Sequence, residues 1–170
     1  MLTIQCTKKL IHELKIDIFK DEMLYSVPLY SWHSHLFLFN RKKCVIVMNN
    51  LTRYNFIVTG LKRAEFMKYD QIVMNAIVEN LLAEGASGGT VDKYMQHCSS
   101  VMYRTTSNRS IISQMNEMIM FAEHCMSLDK YNGIETDIQK LNRKLNCYVM
   151  SKLPKCYSGE TMLEELEKME

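Results

Sequence analysis

The chain has 170 residues, 47 % of them hydrophobic and 24 % charged, with a net charge of +2. That length fits one domain, 1–170, with a real core; the composition excludes disorder except at the ends, and no apolar run approaches the roughly 18 residues of a membrane span, so a soluble chain that is not exported is expected. The small total charge falls short of a strongly basic nucleic-acid binder, but it is uneven: residues 1–70 hold eleven Lys/Arg against six Asp/Glu, and residues 71–170 hold ten against thirteen.

Leu2 and Ile4 begin a first strand, and Leu10, Ile11 and Leu14 recur at helical spacing behind a Thr7 cap. Residues 15–30, with their charges and Pro28, read as a connecting loop. Residues 31–59 carry the densest strand signal, three runs rich in aromatic and β-branched residues. The runs are split by Asn40, Arg41, Lys42 and Lys43 and then by Asn49, Asn50, Leu51, Thr52 and Arg53, which suit hairpin loops. An antiparallel meander follows. Its middle run, 44–48, is apolar throughout and reads as a central strand covered on both faces. In the third, Tyr54, Phe56 and Val58 alternate with Asn55 and Thr59, like a strand with one wetter side.

Gly60 breaks the strand pattern, and 61–68 reads as a short helix. Asp70 caps a better one, with Ile72, Val73, Ala76, Ile77 and Leu81 as its apolar stripe and Gly85 as its end. Gly85, Ala86, Ser87, Gly88 and Gly89 match G-x-S-x-G literally. A nucleophile elbow needs a strand before its serine, however, and here a helix precedes it. Gly85 is better read as a left-handed C-cap and Thr90 as the cap of a helix over 90–98. Residues 101–104 suggest an edge strand. The segment RTTSNRS, 104–110, then enters the longest helix, whose stripe is Ile111, Met115, Met118, Ala122 and Cys125, widened by Ile112, Ile119 and Phe121. A turn at 129–133 leads to a helix over 134–149 with Ile138, Leu141 and Leu145 inward. The last helix, 160–170, has only Met162, Leu163 and Leu166 as an apolar edge and reads as peripheral or frayed. The class is α+β: an antiparallel meander of three to five strands packed with about six helices, mostly sheet over 1–60 and mostly helical over 61–170.

The six cysteines lack CxxC spacing and read as reduced thiols of a cytoplasmic protein. His33 and His35 share one strand face, opposite Trp32, Ser34, Leu36 and Leu38. No carboxylate or third histidine lies close in sequence, so neither a metal nor a cofactor is assigned. Two groups remain as candidate sites. In RTTSNRS, Arg104, Thr106, Asn108, Arg109 and Ser110, with Asn116 about two turns on, surround a helix N-terminus that suits an anion or a partner, although capping by Ser107 or Asn108 already explains the residue types. In the meander, Arg41, Lys42, Lys43 and Arg53 form a basic hairpin suited to a phosphate backbone, with Tyr30, Trp32 and Tyr54 as stacking candidates. A charged tip also serves simply to keep an edge soluble.

The blocks MLTIQCTKKLIHELK, PLYSWHSHLFLFNRKKCVIVMNN, YNFIVTGLKRAEF and TTSNRSIISQMNEM together resemble an uncharacterised bacterial domain family, a domain of unknown function found alone or beside plasmid-ORF-3-type domains. Asn40, Lys43 and Asn49, and the stretch from Arg109 and Ser110 to Met115 and Asn116, carry most of the resemblance. It implies a small cytosolic protein of a bacterium or mobile element and assigns no catalytic residue. With no catalytic constellation nominated, the leading expectation is a non-enzymatic accessory or regulatory protein with a protein partner, homodimerisation left open and no membrane involved. Nucleic-acid binding on the basic hairpin, and an enzyme or binder of a small anion at Arg104 and Arg109, stand as alternatives.

Overall fold

The computed structural model describes residues 1–16, 18 and 26–169. In chain order the elements are β1 (Leu2–Cys6), α1 (Lys8–Leu14), a 3-10 turn (Pro28–Tyr30), β2 (Ser31–Phe39), β3 (Lys42–Asn49), β4 (Asn55–Leu61), α2 (Arg63–Phe66), α3 (Tyr69–Glu84), α4 (Gly88–Gln96), β5 (Val101–Thr105), α5 (Arg109–Tyr131), α6 (Ile138–Asn146) and α7 (Ser158–Glu167). Of the expected loop over 15–30, residues 17 and 19–25 lie outside the described residues, and Pro28–Tyr30 form the 3-10 turn.

The five strands form one sheet in the order β4-β3-β2-β1-β5. β2, β3 and β4 are the antiparallel meander read from the sequence, but β1 pairs in parallel with both β2 and β5. The sheet is therefore mixed, which corrects the expectation of a purely antiparallel one. The reason is connectivity. β1 reaches β2 by way of α1, and β4 reaches β5 by way of α2, α3 and α4; a connection through helices brings the chain back in parallel where a hairpin would reverse it.

Both faces are covered. On one, Leu2, Ile4, Trp32, Val45, Val47 and Phe56 pack under Leu10 of α1, Val73 and Ile77 of α3, Tyr94 of α4, and Met162 and Leu166 of α7. On the other, Phe37, Ile46, Met48 and Ile57 pack under Ile111, Met115 and Met118 of α5 and Leu141 and Leu145 of α6. Burying one such side chain contributes about 1.5–3 kcal/mol. The middle strand is covered on both sides because its residues alternate between these two layers. Trp32 closes the first layer by donating its Nε1–H to Tyr94 Oη at 3.0 Å, the partner a buried indole needs.

Several boundaries differ from the sequence reading. The first hairpin turn is only Asn40 and Arg41, both left-handed at φ 48° and 64°, so Lys42 and Lys43 belong to β3. Two consecutive left-handed residues match the twist of a tight hairpin. Gly60 does not end β4. It sits at φ +72° in a bulge, where the pairing jumps from Val45 with Val58 to Lys43 with Leu61. α3 begins at Tyr69 after Lys68, with Asp70 inside its first turn instead of capping it. α4 begins at Gly88, capped by Ser87 and not Thr90. α6 covers 138–146 only, behind an Asp137 cap, and Asn55 is buried, not on a wet face. The last helix is neither peripheral nor frayed over its core-facing turns. Met162 and Leu166 are buried, and Gly159 lies so near Glu84 and Asn146 that a β-carbon there would press on both.

Candidate functional site

β4 is an edge strand, with alternate main-chain groups turned away from β3. Two of its residues are satisfied by side chains. The Asn55 N–H donates to Asn146 Oδ1 at 2.9 Å, and Asn146 Nδ2 donates to the Asn55 carbonyl at 2.8 Å. One step along, the Ile57 N–H donates to Asn142 Oδ1 at 2.8 Å, and Asn142 Nδ2 donates to the Ile57 carbonyl at 3.3 Å. A carboxamide has a donor and an acceptor side by side, as a peptide group does. Asn142 and Asn146 are four apart on α6 and so lie on one helix face, which lets them stand in for a sixth strand. Ser158 Oγ donates to Asn146 Oδ1 at 2.8 Å, and Asn142 Nδ2 also donates to Asn80 Oδ1 at 3.0 Å.

Past Ile57 this cover ends. A cleft of about 420 Å³ opens between α3 and α6, with Val58 and Thr59 among its lining residues, together with Ile72 and Ala76 of α3 and Ile138 of α6. Farther along β4 is a second cleft of about 440 Å³, lined by Arg41, Lys42, Lys43, Gly60, Leu61, Lys62 and Arg63. Lys43 is engaged: its Nζ lies 2.6 Å from Glu13 Oε1 and 5.7 Å from the centre of the Phe66 ring. Arg41, Lys42, Lys62 and Arg63 are exposed, and none of them has an ion-pair partner among the described residues. Lys62 and Arg63 complete this cluster. The basic hairpin expected from the sequence does not include them, because nothing in sequence shows that the end of β4 returns beside the first hairpin.

Arg53 lies elsewhere, in the turn at the other end of β3. Half-buried, it donates from Nε to Gln114 Oε1 at 2.8 Å and from Nη1 to the Asn50 carbonyl. The same turn reaches a buried polar chain: His33 Nδ1 is 2.7 Å from Asn50 Oδ1, and Asn50 Nδ2 donates to Gln5 Oε1 at 2.6 Å. With Asn50 Oδ1 accepting, His33 carries its proton on Nδ1, and its buried Nε2 has no hydrogen-bond partner among the described residues. Burial pushes the His33 pKa down, and the Arg53 charge adds to this against the raising effect of Asn50. His35 is shifted down in the same sense by burial and by Lys9.

RTTSNRS divides between two elements. Arg104 is in β5, in register with Gln5, and the Thr106 N–H continues the pairing by donating to the Cys6 carbonyl at 3.2 Å. Asn108 caps α5, its Oδ1 accepting from the N–H groups of Ser110 at 3.0 Å and Ile111 at 3.3 Å. The cap thus occupies donors that an anion would need. Arg109, Ser110 and Asn116 are exposed. This segment and the basic cleft do not form one surface. β5 and β4 are opposite edges, four strand spacings or roughly 19 Å apart, and five further residues of β2 beyond Ser34 carry the hairpin tip about 17 Å past the Cys6 row.

Ser87 Oγ accepts from the Thr90 N–H at 3.1 Å and lies 2.8 Å from Thr90 Oγ1, the work of an N-cap. Burial pushes the thiols of Cys6 and Cys98 up to about 12 and about 11, so both stay protonated and unreactive at neutral pH. Trp32 and Tyr54 are fully buried, and half-buried Tyr30 packs on Tyr94 and His97, so neither of the first two is presented for stacking on bases. Among the described residues no group of three or more His, Cys, Asp or Glu is placed to hold a metal, and no helix is long and apolar enough to cross a membrane.

No curated protein and no solved structure matches the chain. The family model described as Domain of unknown function (DUF6933) matches residues 3–159, and the chain therefore belongs to that family.

Proposed function

We propose that the protein is a non-enzymatic accessory or regulatory module that binds an acidic protein partner at the basic cleft beside the end of β4. The observation that carries this reading is the set of four exposed cations, Arg41, Lys42, Lys62 and Arg63, around one cleft with no ion-pair partner among the described residues. Gathering like charges opposes folding slightly and raises the local concentration of anions. A protein is preferred over a nucleic acid because Trp32 and Tyr54, two of the three rings considered for stacking on bases, are buried in the core. A single cytoplasmic domain of a bacterium or mobile element is the setting this reading assumes, on the family resemblance and the scattered thiols.

Fluorescence anisotropy tests it, with a glutamate-rich peptide and a DNA duplex as probes at about 50 and 200 mM salt. The peptide should bind more weakly as salt rises and at least tenfold more weakly to the Arg41→Glu, Lys42→Glu, Lys62→Glu, Arg63→Glu variant, about 1.4 kcal/mol. Tighter, equally charge-dependent binding of the duplex would assign the surface to nucleic acid. Peptide binding untouched by the four substitutions removes the reading.

A further inference from the structure

We infer that the open stretch of β4 past Ile57 is a strand-addition site, where an extended acidic segment of a partner protein pairs its main chain with Thr59 between α3 and α6. This rests on the acidic-partner reading for the charge of the segment, and it names the form in which that partner is held. The edge already accepts amides, since Asn146 and Asn142 pair with Asn55 and Ile57 in both directions at 2.8 to 3.3 Å. The α6 residue one turn before Asn142 is Ile138, which has no amide to offer the next position. Strand alternation makes Thr59 that next position.

The ladder between β4 and β3 is also interrupted at Thr59. The rungs with β3 run from Val58 to Leu61 across the bulge, so neither Thr59 nor Gly60 is in register with a β3 residue. Thr59 lines the cleft of about 420 Å³, which has apolar walls at Ile72, Ala76 and Ile138 and polar ones at Asn75, Glu79, Asn80 and Gln139, so the acidic side chains of the segment belong in its flank and not opposite Glu79. An unpaired edge flanked by two helices, with space for side chains on either side, is the arrangement that holds an added strand: main-chain bonds supply affinity and the flanking walls select side chains. The charge of the segment follows from what comes next along β4. A chain paired at Thr59 continues toward Lys62 and Arg63 of the basic cleft, so glutamate or aspartate in its flank meets cations that have no ion-pair partner among the described residues.

The test uses the whole chain and a pool of peptides of about ten residues, with glutamate at alternate positions and valine, threonine, isoleucine or serine between. Two matched pools carry N-methyl groups on the main chain, one on each alternation, which removes donors from one edge of the peptide and leaves its charge intact. The inference expects one methylated pool to bind at least tenfold more weakly and the other to hold. It also expects Ala76→Trp, which fills the cleft from α3, to weaken the parent pool to the same degree, and the Thr59 amide to exchange more slowly when peptide is bound. Equal binding of all three pools, with loss only in the charge-reversed variant, overturns strand addition and leaves the acidic-partner reading standing. Methylation-sensitive binding that survives charge reversal does the opposite. Slow Thr59 exchange without peptide, in a sample that sediments as a dimer, gives the edge to a second copy and overturns the inference. If Ala76→Trp fails to fold, the methylated pools on the unaltered protein still decide.

Discussion

The two halves of β4's outer edge use opposite chemistry. From Asn55 to Ile57 the edge is closed by neutral carboxamides that are buried and matched donor to acceptor; from Thr59 to Arg63 it faces two open clefts, the second of them ringed by exposed cations. Buried amides are costly to leave unpaired, so the closed half is where stability depends on single polar residues. Exposed charges are already solvated, so the open half can lose them with little effect on folding. Closure by a helix also removes half of an edge that would otherwise pair with any available strand.

The sharpest way to break this contrast is at Asn146. Asn146→Ala strands the Asn55 N–H and carbonyl and removes the acceptor of Ser158, so urea unfolding should show a loss of about 3 kcal/mol or more, summed from groups costing roughly 1–3 kcal/mol each. A loss below about 1 kcal/mol would show that water replaces the carboxamide and that the edge is not closed by it.

A smaller effect should come from acid. His33 is buried and neutral, its pKa held down by burial and then by Arg53. In the unfolded chain it takes up a proton near its ordinary value of about 6.5, whereas in the fold it resists doing so. Stability is therefore full above that value and declines as pH falls below it. His35 acts in the same direction. Glu84, whose carboxyl is pushed up by burial, favours the protonated fold and works in the opposite sense at lower pH, so the decline is best read between about pH 7.5 and 5.5. His33→Asn should flatten it; an unchanged slope would move the cause to another group.

The smallest effect belongs to the open half. Replacing Arg41, Lys42, Lys62 and Arg63 together by glutamine should leave the thermal midpoint unchanged or slightly higher, because surface substitutions usually stay within about 0.5 kcal/mol each and here mutual repulsion is relieved. A clear loss of stability would mean that these cations are held by partners within the fold, and the contrast between the two halves would disappear.

Much of the fold was legible because hydrophobic period and turn chemistry are local. The meander over 31–59, the left-handed Gly85 cap, the edge strand after residue 100 and the long α5 stripe all followed from spacing. The site was only partly legible. Arg41, Lys42 and Lys43 stood out as a cluster in sequence, but Asn142 and Asn146 looked like any polar face of a helix, and only their distance of four residues hinted at a shared target. The last helix was misjudged for a related reason. Its narrow stripe is enough because Gly159 lets it approach Glu84 and Asn146 closely, and closeness of approach has no signature in a single helix.

By itself, then, the sequence determined which segments become strands and helices and which faces are apolar, since each of these depends on residues within a few positions of one another. The tertiary structure decided the parallel pairing of β1, the pairing of α6 amides with an edge strand some 85 and 91 residues away, the return of Lys62 and Arg63 beside Arg41, and the separation of that cluster from RTTSNRS. Those are long-range contacts, fixed by how the layers pack around one sheet, and no periodicity within a segment encodes them.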